Sequence, residues 1–184
     1  MSADFPRLVS LSCHDLRTPL ATVQGFAKTL LRQGEVEGPA ARWLEMIDEA
    51  SQEVVVLLDE LSVAARIEGG RYDPVTREVD SLELARAAFP EASGAGSTVQ
   101  VDVEAVERSL AALARAAARH GGVDVAVTVA GPAVEIAPVV PEAAAVVLGE
   151  DLKDFGAAVA VRVVRALGGT VELGGDRLVV TLPT

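Results

Sequence analysis

Between residues 40 and 68 the chain carries a heptad seam. Leu44, Ile47, Ser51, Val54, Leu58, Leu61 and Ala65 follow one another in alternating steps of three and four, the spacing that holds one stripe of a helix against a partner. Gly69 and Gly70 end the segment as helix C-termini commonly end. Upstream, from Ser2 to about Arg32, Phe5, Leu8, Leu16, Leu20, Val23, Ala27 and Leu30 recur at helical spacing. Gly34 to Pro39, with two glycines and a proline, is the loop between the helices. Two such helices form a hairpin, and a hairpin leaves one apolar stripe bare. Pairing with a second copy into a four-helix bundle covers it. The expected first domain, residues 1–71, is therefore a dimerising helical hairpin, with Phe5–Leu31 and Trp43–Ala65 as the homodimer surface.

The first helix holds an unusual stretch, Ser12-Cys13-His14-Asp15-Leu16-Arg17-Thr18-Pro19-Leu20. Pro19 has no N–H for the Asp15 carbonyl and its ring presses on that carbonyl, which predicts a helix kink just past His14. Thr18 lies four residues from His14, so the two share a face about 6 Å apart along the axis. Asp15 is placed to hydrogen-bond and polarise the imidazole or a nearby reacting group. Arg17 is the nearest cation, open equally to a phosphate, to solvent or to an ion pair. From Phe5 to Leu20 the sequence resembles the phosphoacceptor box of two-component sensor histidine kinases. Leu61 to Gly70, "LSVAARIEGG", looks like the end of that domain in the family. The resemblance implies His14 as phosphoacceptor, Asp15 as the group that orients or deprotonates it, and Thr18 as a residue that positions hydrolytic water.

From Tyr72 the texture changes. Val75–Val79 reads as a strand, Ser81–Phe89 as a helix with Ser81 as N-cap, and Thr98–Val101 as a strand. Val103–Arg119 is an Ala- and Leu-rich helix. Val123–Val129 alternates strictly and pairs with Ala133–Ala137 through Gly131-Pro132. Phe155–Leu167 is a helix stopped by Gly168-Gly169, and Thr170–Leu173 with Arg177–Leu182 a hairpin across Gly174-Gly175. This order predicts an antiparallel or mixed sheet with helices on one face. The second domain, residues 72–184, thus reads as an α/β sandwich resembling the histidine kinase ATP-binding domain, most closely in "RVVRALGGTVEL".

The nucleotide chemistry that this resemblance implies is missing from the residues. Ala112 and Ala116 fall where the family's long helix carries the asparagines that hold magnesium and phosphates. After "AVEIA", where an acid and a glycine turn should meet adenine, stands Pro138-Val139-Val140-Pro141. Only Glu142 to Asp154 remain for the glycine-rich lid, and Gly156 alone survives of the later glycine motif. The magnesium ligands, adenine acceptor and phosphate cradle go together, so no cofactor is expected on this chain.

Composition bounds the rest. A net charge of −11 and a pI near 4.6 argue against nucleic acid and against an anionic membrane surface. One cysteine, Cys13, cannot form an internal disulfide, in keeping with a reducing cytoplasm. No apolar run approaches the roughly 18–20 residues of a membrane span, and no signal peptide is expected. Cys13 reads as a small bundle residue. Trp43 reads as packing, and His120 as a cation favouring a helix end. The expected function is a histidine phosphotransfer protein derived from a kinase. It exchanges phosphoryl groups between His14 and the aspartate of response-regulator receiver domains, which bring their own magnesium, with receiver phosphatase activity in addition. A hybrid or sensor kinase is a further expected partner. Two alternatives stand beside it: an active kinase with a divergent ATP site, and a non-catalytic dimeric regulator that docks on a receiver or kinase.

Overall fold

The computed structural model describes residues 5–34 and 36–184. Its internal contacts divide the chain after Arg71.

The first unit is two long helices, α1 (Phe5–Gln33) and α2 (Pro39–Glu68). Pro39 sits in the first turn of α2, where its missing N–H costs nothing. At the far end the Gly69 N–H bonds Ala65 O at 3.0 Å and the Arg71 N–H bonds Arg66 O at 2.8 Å. Gly70 makes this possible at φ +61. Helix α1 continues through Pro19. The residues buried between the helices are Pro6, Cys13 and Ala27 on α1 and Ser51, Leu58 and Ala65 on α2. These rows advance in sevens, or twice seven, and are mostly small. Arg17 binds Asp59 across the hairpin, and Lys28 Nζ lies 3.7 Å from Asp48 Oδ1.

The expected single seam on α2 is in fact two rows. Ser51, Leu58 and Ala65 face α1, whereas Ile47, Val54 and Leu61 are 44%, 43% and 36% exposed. In this hairpin α1 covers only the Ser51 row, and the other row is left for further helices. Phe5, Leu16, Val23 and Phe26 on α1 and Met46 and Leu57 on α2 are exposed as well. Trp43, expected to pack, is 65% exposed and belongs to this bare surface.

The second unit runs β1 (Arg77–Asp80), α3 (Ser81–Ala88), β2 (Ser93–Gly96), β3 (Thr98–Val101), α4 (Val103–Gly121), β4 (Ala126–Gly131), β5 (Ala133–Ala137), α5 (Pro141–Val147), α6 (Phe155–Ala166), β6 (Thr170–Gly174) and β7 (Arg177–Thr181). Five strands form a sheet in the order β2-β4-β5-β7-β6, parallel only between β2 and β4, while β1 and β3 pair separately. Period-two alternation sends Val127, Val129, Val134, Ile136, Val171, Leu178 and Val180 inward. There they join Leu84 of α3, Leu110 and Leu113 of α4 and Val161 and Val164 of α6 in one aliphatic core.

Several local expectations change. The first strand begins at Arg77, not Val75, and the fourth at Ala126, not Val123. Strand β2, "SGAG", has no alternation to reveal it. The N-cap of α3 is Asp80, not Ser81, because its carboxylate accepts from the N–H of Leu82 at 2.8 Å and of Glu83 at 3.2 Å. Ser81 Oγ instead donates to Gly131 O at 2.6 Å and accepts from the Ser97 N–H at 3.0 Å, tying α3 to two strand ends. The short segment in the place of a lid contains helix α5, whose Ala143, Val146 and Val147 are buried.

Candidate phosphoacceptor site

One turn of α1 sorts its side chains by direction. Cys13 is 1% exposed and faces α2, as a small bundle residue would. His14 and Asp15 point outward, their side chains 77% and 68% exposed. Thr18 is also exposed, one turn further on. His14 Nδ1 lies 3.1 Å from Asp15 Oδ1. An ionised carboxylate only accepts, so Nδ1 carries the proton of this bond. In a neutral ring that leaves the lone pair on Nε2, on a side chain that is largely exposed. The site can therefore present a directed imidazole nucleophile with a carboxylate behind it.

Arg17 is engaged by Asp59 on α2, 42 residues away. Of the roles open to Arg17, the free protein shows the ion pair. Asp59 was not legible as part of this site, since the seam places it beside Leu58 but nothing in the sequence joins it to His14.

In the second unit, Ala112 and Ala116 are 6% and 1% exposed. Their methyl groups lie in the aliphatic core and offer magnesium no oxygen. Helix α5 comes close to the end of α4: a Cβ at Gly121 would lie 3.1 Å from Val140 Cγ2 and 4.0 Å from the Ala143 Cβ. His120 Nε2 is 3.3 Å from Asp154 Oδ2 and Arg119 Nη1 is 3.5 Å from the same oxygen. Asp154, its side chain 10% exposed, also caps α6 through the Ala157 N–H at 3.0 Å. Arg119 and His120 at the end of α4 are thus engaged by one carboxylate of the same chain, and His120 is a fastening between α4 and the N-cap of α6.

Residues 7–70 match the His Kinase A (phospho-acceptor) domain family. The first unit is thus similar to the phospho-acceptor domain of two-component histidine kinases. Among similar proteins, the probable sensor histidine kinase TcrY of Mycobacterium tuberculosis is 31% identical over 91 residues, covering 49% of this chain and 19% of TcrY. Sensor histidine kinase TrcS of the same organism is 29% identical over 93 residues, covering 50% and 18%. The matched region thus spans about a fifth of the length of these relatives. A crystal structure of full-length ShkA in complex with AMPPNP superposes with a TM-score of 0.73 at 21% identity, covering 97% of this chain and 46% of ShkA. Histidine kinase AdeS of Acinetobacter baumannii gives 0.56 at 19% identity, covering 92% and 95%. The hairpin followed by the mixed α/β unit is the fold of a histidine kinase core. No helix among the described residues is long and apolar enough to cross a membrane.

Proposed function

We propose that this chain is a histidine phosphotransfer protein on a histidine kinase core. It exchanges phosphoryl groups between His14 and the aspartate of receiver domains without using ATP. The observation that carries the reading is a contrast between the two units. An exposed His14–Asp15 pair is intact on α1, while Ala112 and Ala116 bury methyl groups where nucleotide chemistry would need oxygen donors.

In this reading the donor is an aspartyl phosphate of a receiver. His14 Nε2 attacks phosphorus, the N–P bond forms and the P–O bond to the receiver carboxylate breaks. The imidazole gains positive charge as it does so. Asp15, on Nδ1, offsets that charge and takes up the proton share, so the transition state is stabilised more than the ground state. Thr18, one turn along, is placed to hold water in line with a receiver phosphate, which adds a phosphatase activity. Magnesium belongs to the receiver. The bare stripe of the hairpin pairs with a second copy, and the protein works in the cytoplasm. The direct test is incubation with phosphorylated receivers followed by mapping of label, which is expected on His14. A receiver that binds and keeps all its label would sink the reading.

A second reading, an ATP-using kinase, is favoured by the likeness in fold to ShkA over 97% of this chain. Calorimetry separates the two. With Mg-ATP at millimolar concentration the heats should be flat and the thermal midpoint unmoved. A saturable shift in midpoint would mean that the native state binds nucleotide, and the kinase reading would replace the first.

A further inference from the structure

Arg17 sits between two anions, one present and one expected. It follows His14 by three residues on α1, which puts their Cβ atoms about 5–6 Å apart. Its guanidinium is bound through Nη2 to Asp59 Oδ1 of α2. That pair is open to water, the side chains being 40% and 44% exposed, so it is weakly held and exchangeable. A second ion pair across the hairpin, Lys28–Asp48, lies about 20 Å along the helix from His14 and out of reach.

We infer that Arg17 exchanges partners with the state of His14: it is held by Asp59 in the free protein and moves to the phosphoryl group of phospho-His14, releasing Asp59. Asp59 is thereby a positioning residue for the site, acting through Arg17. The inference rests on the phosphoacceptor reading of His14 and adds to it a regulation. A phosphoryl group brings up to two negative charges and three acceptor oxygens against the single charge of Asp59, and the planar fork of arginine matches it in a bidentate way. A carboxylate one helix away therefore competes with the product of the reaction. Phosphorylation unties α1 from α2 at that level and leaves a free acid on α2 as the mark of the charged state.

The test uses phosphoramidate as donor, so no partner is needed. Its P–N bond breaks with loss of ammonia as the Nε2–P bond of phospho-His14 forms. The second ionisation of the phosphoryl group is then followed by phosphorus NMR across pH. Asp15 lies beside the group in every variant, so differences report Arg17 and Asp59. A nearby cation favours the dianion and lowers the midpoint, by about half a pH unit for a unit charge some 6 Å away in water. The expected order of midpoints is Asp59→Asn lowest, native next, Arg17→Lys above it and Arg17→Gln highest. Removing Asp59 also removes a negative charge, so the double variant isolates the exchange. With Arg17→Gln in place, Asp59→Asn should move the midpoint less than it does in the native chain. Equal movements, or coincident midpoints for the native chain and Arg17→Gln, overturn the exchange while leaving His14 as acceptor. If the native chain stays folded by circular dichroism yet shows no phosphohistidine signal that His14→Gln removes, the acceptor reading itself fails and the exchange falls with it.

Discussion

His14→Ala is expected to abolish the uptake of label from a phosphorylated receiver, whereas Thr18→Ala should leave uptake intact and slow hydrolysis of the receiver phosphate about 10²–10⁴-fold. The first outcome follows because His14 is the exposed nucleophile of its turn: Cys13 is buried toward α2 and Arg17 is bound to Asp59. Removing Thr18 leaves the His14–Asp15 pair untouched, and alanine is the better helix former, so α1 survives. What disappears is the hydroxyl that would hold water for attack, and the expected factor is that of a positioned polar catalytic group. Rates of label transfer and of inorganic phosphate release are measured side by side. If Thr18→Ala leaves hydrolysis unchanged while His14→Ala removes it, water attacks phosphohistidine and Thr18 is a bystander. If neither change alters the fate of a receiver that binds, phosphotransfer is the wrong function.

Leu58→Glu and Val54→Glu, four residues apart on one helix, are expected to fail in different ways. Leu58 is 8% exposed and lies in the row that closes the hairpin. A carboxylate there loses the leucine packing and is stripped of water without a partner, which together cost about 3–5 kcal/mol. Helical circular dichroism should be lost in the first unit. Val54 is 43% exposed. Glutamate at this position meets solvent in a single chain and meets its own counterpart's stripe only in a dimer, so helicity should persist while the sedimenting mass halves. A native chain that already sediments as a folded monomer at micromolar concentration would refute the homodimer.

The two rows explain what the sequence could and could not disclose about this hairpin. Steps of three and four identify helices that pack on something; α1 is helical from Phe5 to Gln33, the expected start at Ser2 lying outside the described residues, and α2 begins one residue early, at Pro39. The pattern carries no information about which row meets α1 and which meets another copy, because Leu58 and Leu61 are equally apolar. Burial separates them. In the second unit, alternation betrayed β3 and β5, whose inward valines and isoleucine are large. Strand β2 consists of Ser, Gly and Ala, held by pairing with β4 and not by its side chains, so periodicity was silent. Helix α5, only seven residues long, spans two turns at most, too few for a repeating apolar face to show, and its segment read as the remnant of a lid. At the site, His14, Asp15 and Thr18 were legible because they lie within five residues. Asp59 was not, since its tie to Arg17 exists only once the hairpin has folded.

The placement of Trp43 has a practical consequence. It is the sole indole of the chain, and it lies on the bare stripe of the first unit, 65% exposed. The second unit contains only Phe89, Phe155 and Tyr72 as aromatic residues. Tryptophan emission is therefore an intrinsic gauge of association: its maximum should move to the blue as concentration rises and the stripe is covered, with no label attached. The same emission is blind to the aliphatic core built around α4 and the sheet. Melting curves followed by fluorescence and by far-ultraviolet circular dichroism need not coincide, since one watches the hairpin and the other the whole chain. In this molecule such a mismatch would reflect where its one indole stands before it said anything about a folding intermediate.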